Sequence, residues 1–522
     1  MLASRCRAAA RSFLCALALG TLGACASAPC VAPDPVAETA AQFERVRGDP
    51  EQLRAFLSAM PVGGDLHHHL SGSATPEMIL DIAIEDGLCV PRDPAREWRL
   101  ERPPCGAGLR PASDARLDPA LRAEMLRRWS MRAYPTDDPS VVRSDANDHF
   151  FSLFGTIREA NRDLGRLLAG ARRLAAQSGT RYLETSTGWE PDRDALDAFD
   201  ATPLDADLLA MRRALLANPQ FTALRDAIVT ELPRQLARSE QLLGCATASP
   251  DPGCEVEVRF QRVAVRSQPP GAVFVEILLA YEIAQRSEVV VGINFVAPET
   301  DAHAIRDYAL HMRMLGELAH LYPDVKRSLH AGEMGVAQAI ALGARDHIAL
   351  AIAPVEAGGA AAQRIGHGVS LDAETSRNAV LERMRQQSIA IEINLRSNAL
   401  LLGVTGAAHP FDEYLAAGVP IVLATDDAGL MGADLREQFA LAAAFPEVDY
   451  RTLKQLARNS LRYSFLPASD RERLASQLEA ALDAFESSWQ RDAAPLGAGL
   501  RRPAQCKVPG TALNSAGASA KP

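Results

Sequence analysis

Asp65-Leu66-His67-His68-His69-Leu70 closes a short run that begins at Gly64, and it joins a strand pattern to a cluster of ligating side chains. Side chains alternate faces along an extended chain, so His67 and His69 share one face and His68 takes the other. Two imidazoles on one face can grip a divalent ion, since neutral histidine is the commonest metal ligand. A histidine triplet also occurs as a plain exposed run. The rest of the chain must decide between the two.

Outward from this stretch, seven further short runs follow: Arg181–Ser186, Glu255–Val265, Val289–Val296, Arg327–Ala331, Arg364–Val369, Ile389–Asn394 and Ile421–Thr425. Several are nearly continuous in Val, Ile, Leu and Ala, as strands covered on both faces are. Aromatics make up only 5% of the chain, so the core is expected to be aliphatic. Amphipathic stretches such as Ala302–Tyr322, Gly335–Ile352 and Asp372–Gln387 separate the runs. Eight strands alternating with helices predict an α/β fold, a (β/α)8 TIM barrel over residues 59–490. The competing architecture, an open doubly wound sheet, lacks a Gly-x-Gly-x-x-Gly after any strand. Two insertions interrupt the alternation, one over about 88–147 after the first strand and its helix, one over about 190–253 after the second strand.

The termini read differently. Arg5, Arg7 and Arg11 precede an apolar run from Ser12 to Ala24 that is shorter than the ~20 residues a spanning helix needs. The run ends in Leu22-Gly23-Ala24-Cys25, which resembles a bacterial lipoprotein cleavage box. The expectation is a signal over 1–24, lipidation of Cys25, a tether and one leading helix (Val36 to Phe56) over 25–58, and a Gly/Pro/Ala/Ser-rich tail over 491–522. Ala26 fits outer-membrane placement. The alternative is an ordinary signal peptide cleaved at an Ala-x-Ala-like site. Removing the three arginines takes the net charge of −10 to −13, which disfavours a nucleic-acid partner. Export would leave Cys30, Cys89, Cys105, Cys245, Cys254 and Cys506 in an oxidising compartment. Six cysteines allow fifteen pairings. The local pairs Cys89–Cys105 and Cys245–Cys254 are the economical ones, and Cys30–Cys506 would tie the ends. No Cys-x-x-Cys pair points to a cysteine zinc site.

Catalytic residues of a barrel sit where strands end, and four groups fall there. His67 and His69 end the first strand, His330 with Glu333 the fifth, His367 the sixth, and Asp426-Asp427 the eighth. Gly332, Gly366 and Gly368 let backbone approach a ligand closely. Each group has a bland reading: Glu333 as an acidic residue favoured at a helix start, His367 as a core histidine, the Asp pair as a turn. Two carboxylates leaving an apolar strand are nevertheless costly unless a metal, hydrogen bonds or a substrate meets them. His149, His303, His311, His320, His347 and His409 lie in helical patterns or loops and are assigned no chemistry.

The segments Leu66–Gly72 (LHHHLSG), Leu329–Glu333 (LHAGE), Arg364–Gly368 (RIGHG) and Leu423–Asp427 (LATDD) resemble the adenosine deaminase family of metal-dependent barrels. Asn394–Asn398 and Ala457–Ser460 add to the likeness, which covers roughly Met60 to Phe485. The resemblance implies one Zn2+ per chain, held by His67, His69, His330 and Asp426. It implies that His367 orients a water and helps take its proton. Glu333, protonated, would donate to a purine ring nitrogen, and Asp427 would bind another. Gly332 would make a backbone contact to the purine. The implied partner is a small-molecule purine nucleoside, adenosine or deoxyadenosine first. Two positions depart from the family's sugar contacts: Ser71 stands where the family has Asp, and Ala297 near where it has Gly.

Two other functions compete. A zinc amide or ester hydrolase on the same barrel would often carry a lysine on the fourth strand for a second metal, and Val289–Val296 has none. A non-catalytic extracellular binding protein would be expected to have lost a ligand or Glu333.

Overall fold

The computed structural model describes residues 34–492 except Pro94, 136–140, Glu190 and Asp192. Eight strands form one sheet in sequence order: β1 Gly64–His69, β2 Tyr182–Thr187, β3 Glu257–Val265, β4 Val290–Val296, β5 Lys326–Ala331, β6 Arg364–His367, β7 Ala390–Ile393 and β8 Ile421–Leu423. Neighbours pair in parallel throughout. Helices such as Pro270–Ala284 and Ala302–Ala319 carry the chain from one strand to the next. The segment is thus the expected (β/α)8 barrel, with a strand at each of the eight apolar runs.

The sheet closes through the residues of the first and last motifs. Asp426 N donates to His67 O at 2.8 Å, and His69 N donates to Asp426 O at 2.8 Å. Just below, the buried Asp65 carboxylate accepts from the hydroxyl and the backbone N–H of Thr425. The seam therefore brings together residues some 360 positions apart in sequence.

Inside the barrel, an ionic chain spans several strands. Arg364 of β6, 1% exposed, reaches the carboxylates of Glu184 on β2 and Glu392 on β7, both fully buried. Gln261 Nε2 of β3 donates to Glu184 at 3.0 Å, and Ser328 Oγ of β5 donates to Glu392 at 2.8 Å. A charge taken from water costs several kcal/mol unless it is paired and hydrogen-bonded, and here the partners come from five different strands. The barrel can bury this set only when its register is right.

The insertions are stapled locally. Cys89–Pro91 and Leu109–Pro111 form a small antiparallel pair, and Cys89 is bonded to Cys105. The second insertion holds helices Leu208–Ala217 and Pro219–Leu242 and ends at the Cys245–Cys254 disulfide. Helix Pro270–Ala284 is buried along nearly its whole length, with Pro219–Leu242 packed against it. Both local disulfides are as expected. Cys25, Cys30, Cys506 and the 1–24 signal lie outside the described residues. Among those described, no helix is long and apolar enough to cross a membrane.

The leading segment is two helices, Pro35–Val46 and Pro50–Ala59, where one was expected. Pro50 disfavours helical geometry at the residue before it and supplies no N–H of its own. Asp49 caps the second helix by accepting from Glu51 N at 2.9 Å and Gln52 N at 3.1 Å. Phe56 of this helix meets Tyr450, Phe485 and Trp489 at ring-centroid distances of 6.1, 5.2 and 5.3 Å, so the segment packs on the two last helices.

Replacing Arg364 with Met leaves two carboxylates facing each other in the barrel interior without their cation. Loss of one partner of a buried pair costs about 3–5 kcal/mol, and Arg364→Met is expected to lower the unfolding free energy by that much in denaturant titration. An exposed pair such as Arg385–Glu382, broken the same way, serves as the control and costs ~0–1 kcal/mol.

Candidate metal centre and active site

The alternation of β1 places His67 and His69 together inside the barrel mouth, and β5 brings His330 against them. His67 Nε2 lies 3.0 Å from His330 Nε2, and His69 Nε2 lies 3.4 and 3.2 Å from the same two atoms. Asp426 Oδ1 is 3.3 Å from His69 Nε2 and 3.7 Å from His67 Nε2. His67, His330 and Asp426 are buried and His69 is nearly so. His68 points to the opposite face, its Nδ1 2.7 Å from Thr185 Oγ1.

Second partners decide which ring nitrogens face the centre. The Glu392 carboxylate is 2.7 Å from His67 Nδ1, and Asn294 Oδ1 is 3.0 Å from His330 Nδ1. Both oxygens are acceptors, so the ring hydrogens sit on Nδ1 and the Nε2 lone pairs converge. Burial raises the Glu392 carboxyl, but Arg364 and His67 outweigh it and hold it at about 2. Burial pushes His69 down to about 4, and burial with its imidazole neighbours drives His330 well below its ordinary value. Burial lowers His67, but Glu392 and Asp426 outweigh it and raise the ring, so a cation bound here would take the place of a proton on it. Three imidazole nitrogens and a carboxylate aimed at one point, out of water, suit a divalent cation. The donor set therefore fits the metal expected from the sequence.

The other expected residues surround this centre. Glu333 Oε1 is 3.6 Å from His367 Nε2, and His367 Nε2 is 4.0 Å from Asp426 Oδ2. Burial, with the Asp426 charge adding to it, raises the Glu333 carboxyl to about 8. Burial and the same neighbour raise the Asp427 carboxyl well above the usual range, and Asp427 Oδ1 has no hydrogen-bond partner. Gly72 makes room for it: a Cβ there would lie 1.8 Å from Asp427 Oδ1. His367 and Asp426 adopt positive φ, 66° and 64°, a conformation that side-chain-bearing residues tolerate when the surroundings enforce it.

Several supporting residues carry no motif and were not singled out from the sequence. Arg266, 0% exposed, donates to Ala297 O at 2.7 Å and His330 O at 3.1 Å, and its Nη2 reaches Glu333 Oε2 at 3.3 Å. Glu299 accepts from Gly332 N at 3.1 Å and Glu333 N at 2.7 Å, and also binds His347. Burial opposes the charge on Glu299, yet His347 and Arg266 hold it at about 2. Gly332, at φ 74°, thus gives its N–H to Glu299, and a purine contact there would share that donor. His347 stacks on Tyr308 at 3.6 Å, and His409 Nε2 donates to Asn398 Oδ1 at 3.1 Å. These two histidines, assigned no chemistry above, therefore belong to the layer behind the site. The signal that could have found Glu392 and Glu184 was a lone acid inside each apolar strand, which a barrel interior must pair.

Both departures from the family pattern lie at the rim. Ser71 is exposed, and its carbonyl accepts from Asn161 Nδ2 at 2.8 Å. Ala297 has φ 81°, so the backbone conformation that glycine favours is kept with a methyl group added.

Fold and donors together define a (β/α)8 barrel with three histidines and one aspartate placed to hold a metal ion. The adenosine deaminase family model matches residues 219–481, half of the chain, and the chain belongs to that family. Aminodeoxyfutalosine deaminase of Streptomyces coelicolor is 33% identical over 129 residues, 24% of this chain and 32% of that protein. Adenosine deaminase of Escherichia coli strain SE11 is 32% identical over 120 residues, 23% of this chain and 35% of that protein. The matches thus span about a third of each curated relative. Among solved structures, adenine deaminase from Arthrobacter aurescens aligns with TM-score 0.52 at 18% identity, covering 81% of this chain and 99% of that one. A zinc-bound amidohydrolase from Burkholderia ambifaria aligns with TM-score 0.53 at 15% identity, covering 84% and 95%. These likenesses carry the fold.

Partners that fix a ligand's ring typically change metal affinity ~10–100-fold when lost. Glu392→Gln is expected to weaken zinc binding by that factor in competition with a chelator. His330→Ala, which removes a donor, should weaken it further.

Proposed function

We propose that this chain is a hydrolytic deaminase of an aminopurine nucleoside, adenosine or deoxyadenosine first, using one zinc ion. The observation that carries the proposal is that Glu333, a carboxyl raised by burial, meets His330 and His367 beside the four metal donors, with the raised carboxyl of Asp427 next to Asp426.

The zinc would be held by His67, His69, His330 and Asp426, and when bound it supplies a Lewis acid that lowers the pKa of water toward ~7. The remaining work belongs to the side chains. Glu333, protonated, donates to a ring nitrogen of the purine and draws electron density from the adjacent carbon. Asp427, its carboxyl raised by burial and by Asp426, has a buried oxygen without a partner that would serve a second ring nitrogen, and the absent side chain at Gly72 leaves that oxygen its space. The Asn398 amide nitrogen donates to His367 Nδ1 at 3.0 Å while Asn398 Oδ1 accepts from His409. A neutral His367 then carries its hydrogen on Nε2, which supports orientation of the attacking water as its first task, ahead of proton removal. Collapse of the tetrahedral carbon releases ammonia. Arg266 and Glu299 hold the backbone and carboxylate of Glu333 in place throughout.

An acidic chain with a lipoprotein-like start supports an exported enzyme anchored by lipid at Cys25, facing the periplasm or cell surface.

Two measurements test the proposal. Purified protein should contain about one zinc per chain and release ammonia from adenosine or a related aminopurine nucleoside. Metal-loaded protein inactive on every aminopurine would refute it, and two metals per chain would favour the amide or ester hydrolase. Glu333→Gln should retain zinc while turnover falls ~10²–10⁴-fold.

A further inference from the structure

A second cavity lies on the outer side of the barrel seam, behind β1 and away from the metal donors. Its volume is about 940 Å³, within the roughly 300–1,000 Å³ of small-molecule sites. It is a cleft open to solvent on one side, where Pro50, Arg54, Gln177 and Asp434 are exposed. Small side chains line it: Ala171 and Ala175 on helix Leu164–Gln177, and Ala440 and Ala444 at and beyond helix Leu435–Ala442. Leu53 and Leu57 of helix Pro50–Ala59 and Leu174 and Leu441 complete apolar walls.

Polar groups mark its two ends. Asp65, His68 and Thr425 form the buried end. Thr185 donates its hydroxyl hydrogen toward His68 O at 3.3 Å, so its oxygen accepts from His68 Nδ1 at 2.7 Å. The lone pair of His68 is therefore on Nε2, which has no partner among the described residues. Arg54 is exposed and Arg436 half-buried, which puts them toward the solvent end. Arg436 Nη1 donates to Gln177 O at 2.7 Å, but its Nε–H is buried without an acceptor. Neither arginine has a carboxylate within ion-pair distance among the described residues. Two acids share the lining and act on the arginines from beyond ion-pair distance, Asp434 on Arg436 and Glu437 on Arg54. Each has a nearer partner: Asp434 caps a helix by accepting from Glu437 N at 2.9 Å, and Glu437 lies 3.7 Å from Arg396.

We propose that this cavity binds a small carboxylic acid with an aliphatic body, its carboxylate on Arg436 and Arg54 and its chain between the alanine-faced helices. An unpaired, partly desolvated guanidinium selects an anion, and a hydrogen bond to a charged group outweighs one to a neutral group. Apolar walls select the rest. The site lies across β1 from the metal donors, so the proposal stands or falls separately from deamination.

The test is calorimetric titration of the full mature protein with decanoate, with decan-1-ol as the uncharged counterpart. One saturable site per chain is expected, with the alcohol at least about tenfold weaker. Ala440→Trp fills the cavity and should abolish binding. Arg436→Gln should weaken decanoate about tenfold or more while zinc content and melting temperature stay unchanged. If Ala440→Trp fails to fold, the alcohol comparison and Arg436→Gln still decide. No saturable binding by the intact chain, equal affinity for acid and alcohol, or indifference to Arg436→Gln would each overturn the proposal.

Discussion

A cation locked inside the barrel sets the terms for everything above it. Arg364 has no water to stabilise it, and it is neutralised only where Glu184 and Glu392 arrive from β2 and β7. A register slip of one residue on either strand would turn its carboxylate to the outer face, leaving the charge unpaired. The pairing is therefore weak evidence for net stability and stronger evidence for specificity of register. It also reaches the chemistry, because the Glu392 oxygen not used by Arg364 takes the His67 Nδ1 hydrogen. One buried carboxylate thus fixes both the barrel's register and the direction of a metal donor.

The same economy recurs at the seam. Backbone groups of His67, His69 and Asp426 close the barrel, while the side chains of the same residues form the donor set. Closure and metal-site geometry are one event, which is why the unusual φ of Asp426 is tolerated: two backbone hydrogen bonds and a packed barrel hold it. Behind Glu333, Arg266 and Glu299 do comparable work, one gripping the strand-end carbonyls, the other the loop N–H groups. Arg266 lowers the Glu333 carboxyl while burial and Asp426 raise it, and the raising influences win. The acid is held in place by a group that opposes its protonation, and desolvation decides its state.

The chain belongs to the adenosine deaminase family, and its centre and its rim answer to different demands. The centre is built from donors that suit a divalent cation. The rim, where Ser71 and Ala297 sit, depends on the molecule to be recognised. The two disulfide-bearing insertions lie outside the barrel alternation, so they could grow without disturbing the register that the buried charges enforce.

By itself the sequence determined the barrel and the donors. Eight aliphatic runs spaced by amphipathic stretches have few other ways to bury themselves, and a period of two puts His67 and His69 on one face whatever the rest of the chain does. Strand-end placement then selected His330, Glu333, His367, Asp426 and Asp427, and short spacing found both local disulfides. The break at Asp49-Pro50 was also written locally, but the apolar periodicity across it masked a two-residue signal. Tertiary structure alone decided the second layer. Glu392 became the partner of His67, Asn294 of His330, and Arg266 and Glu299 of the Glu333 loop, through contacts between strands distant in sequence. No local pattern encodes such pairs, because each is a polar residue in or just beyond a strand whose partner is known only once the barrel has closed.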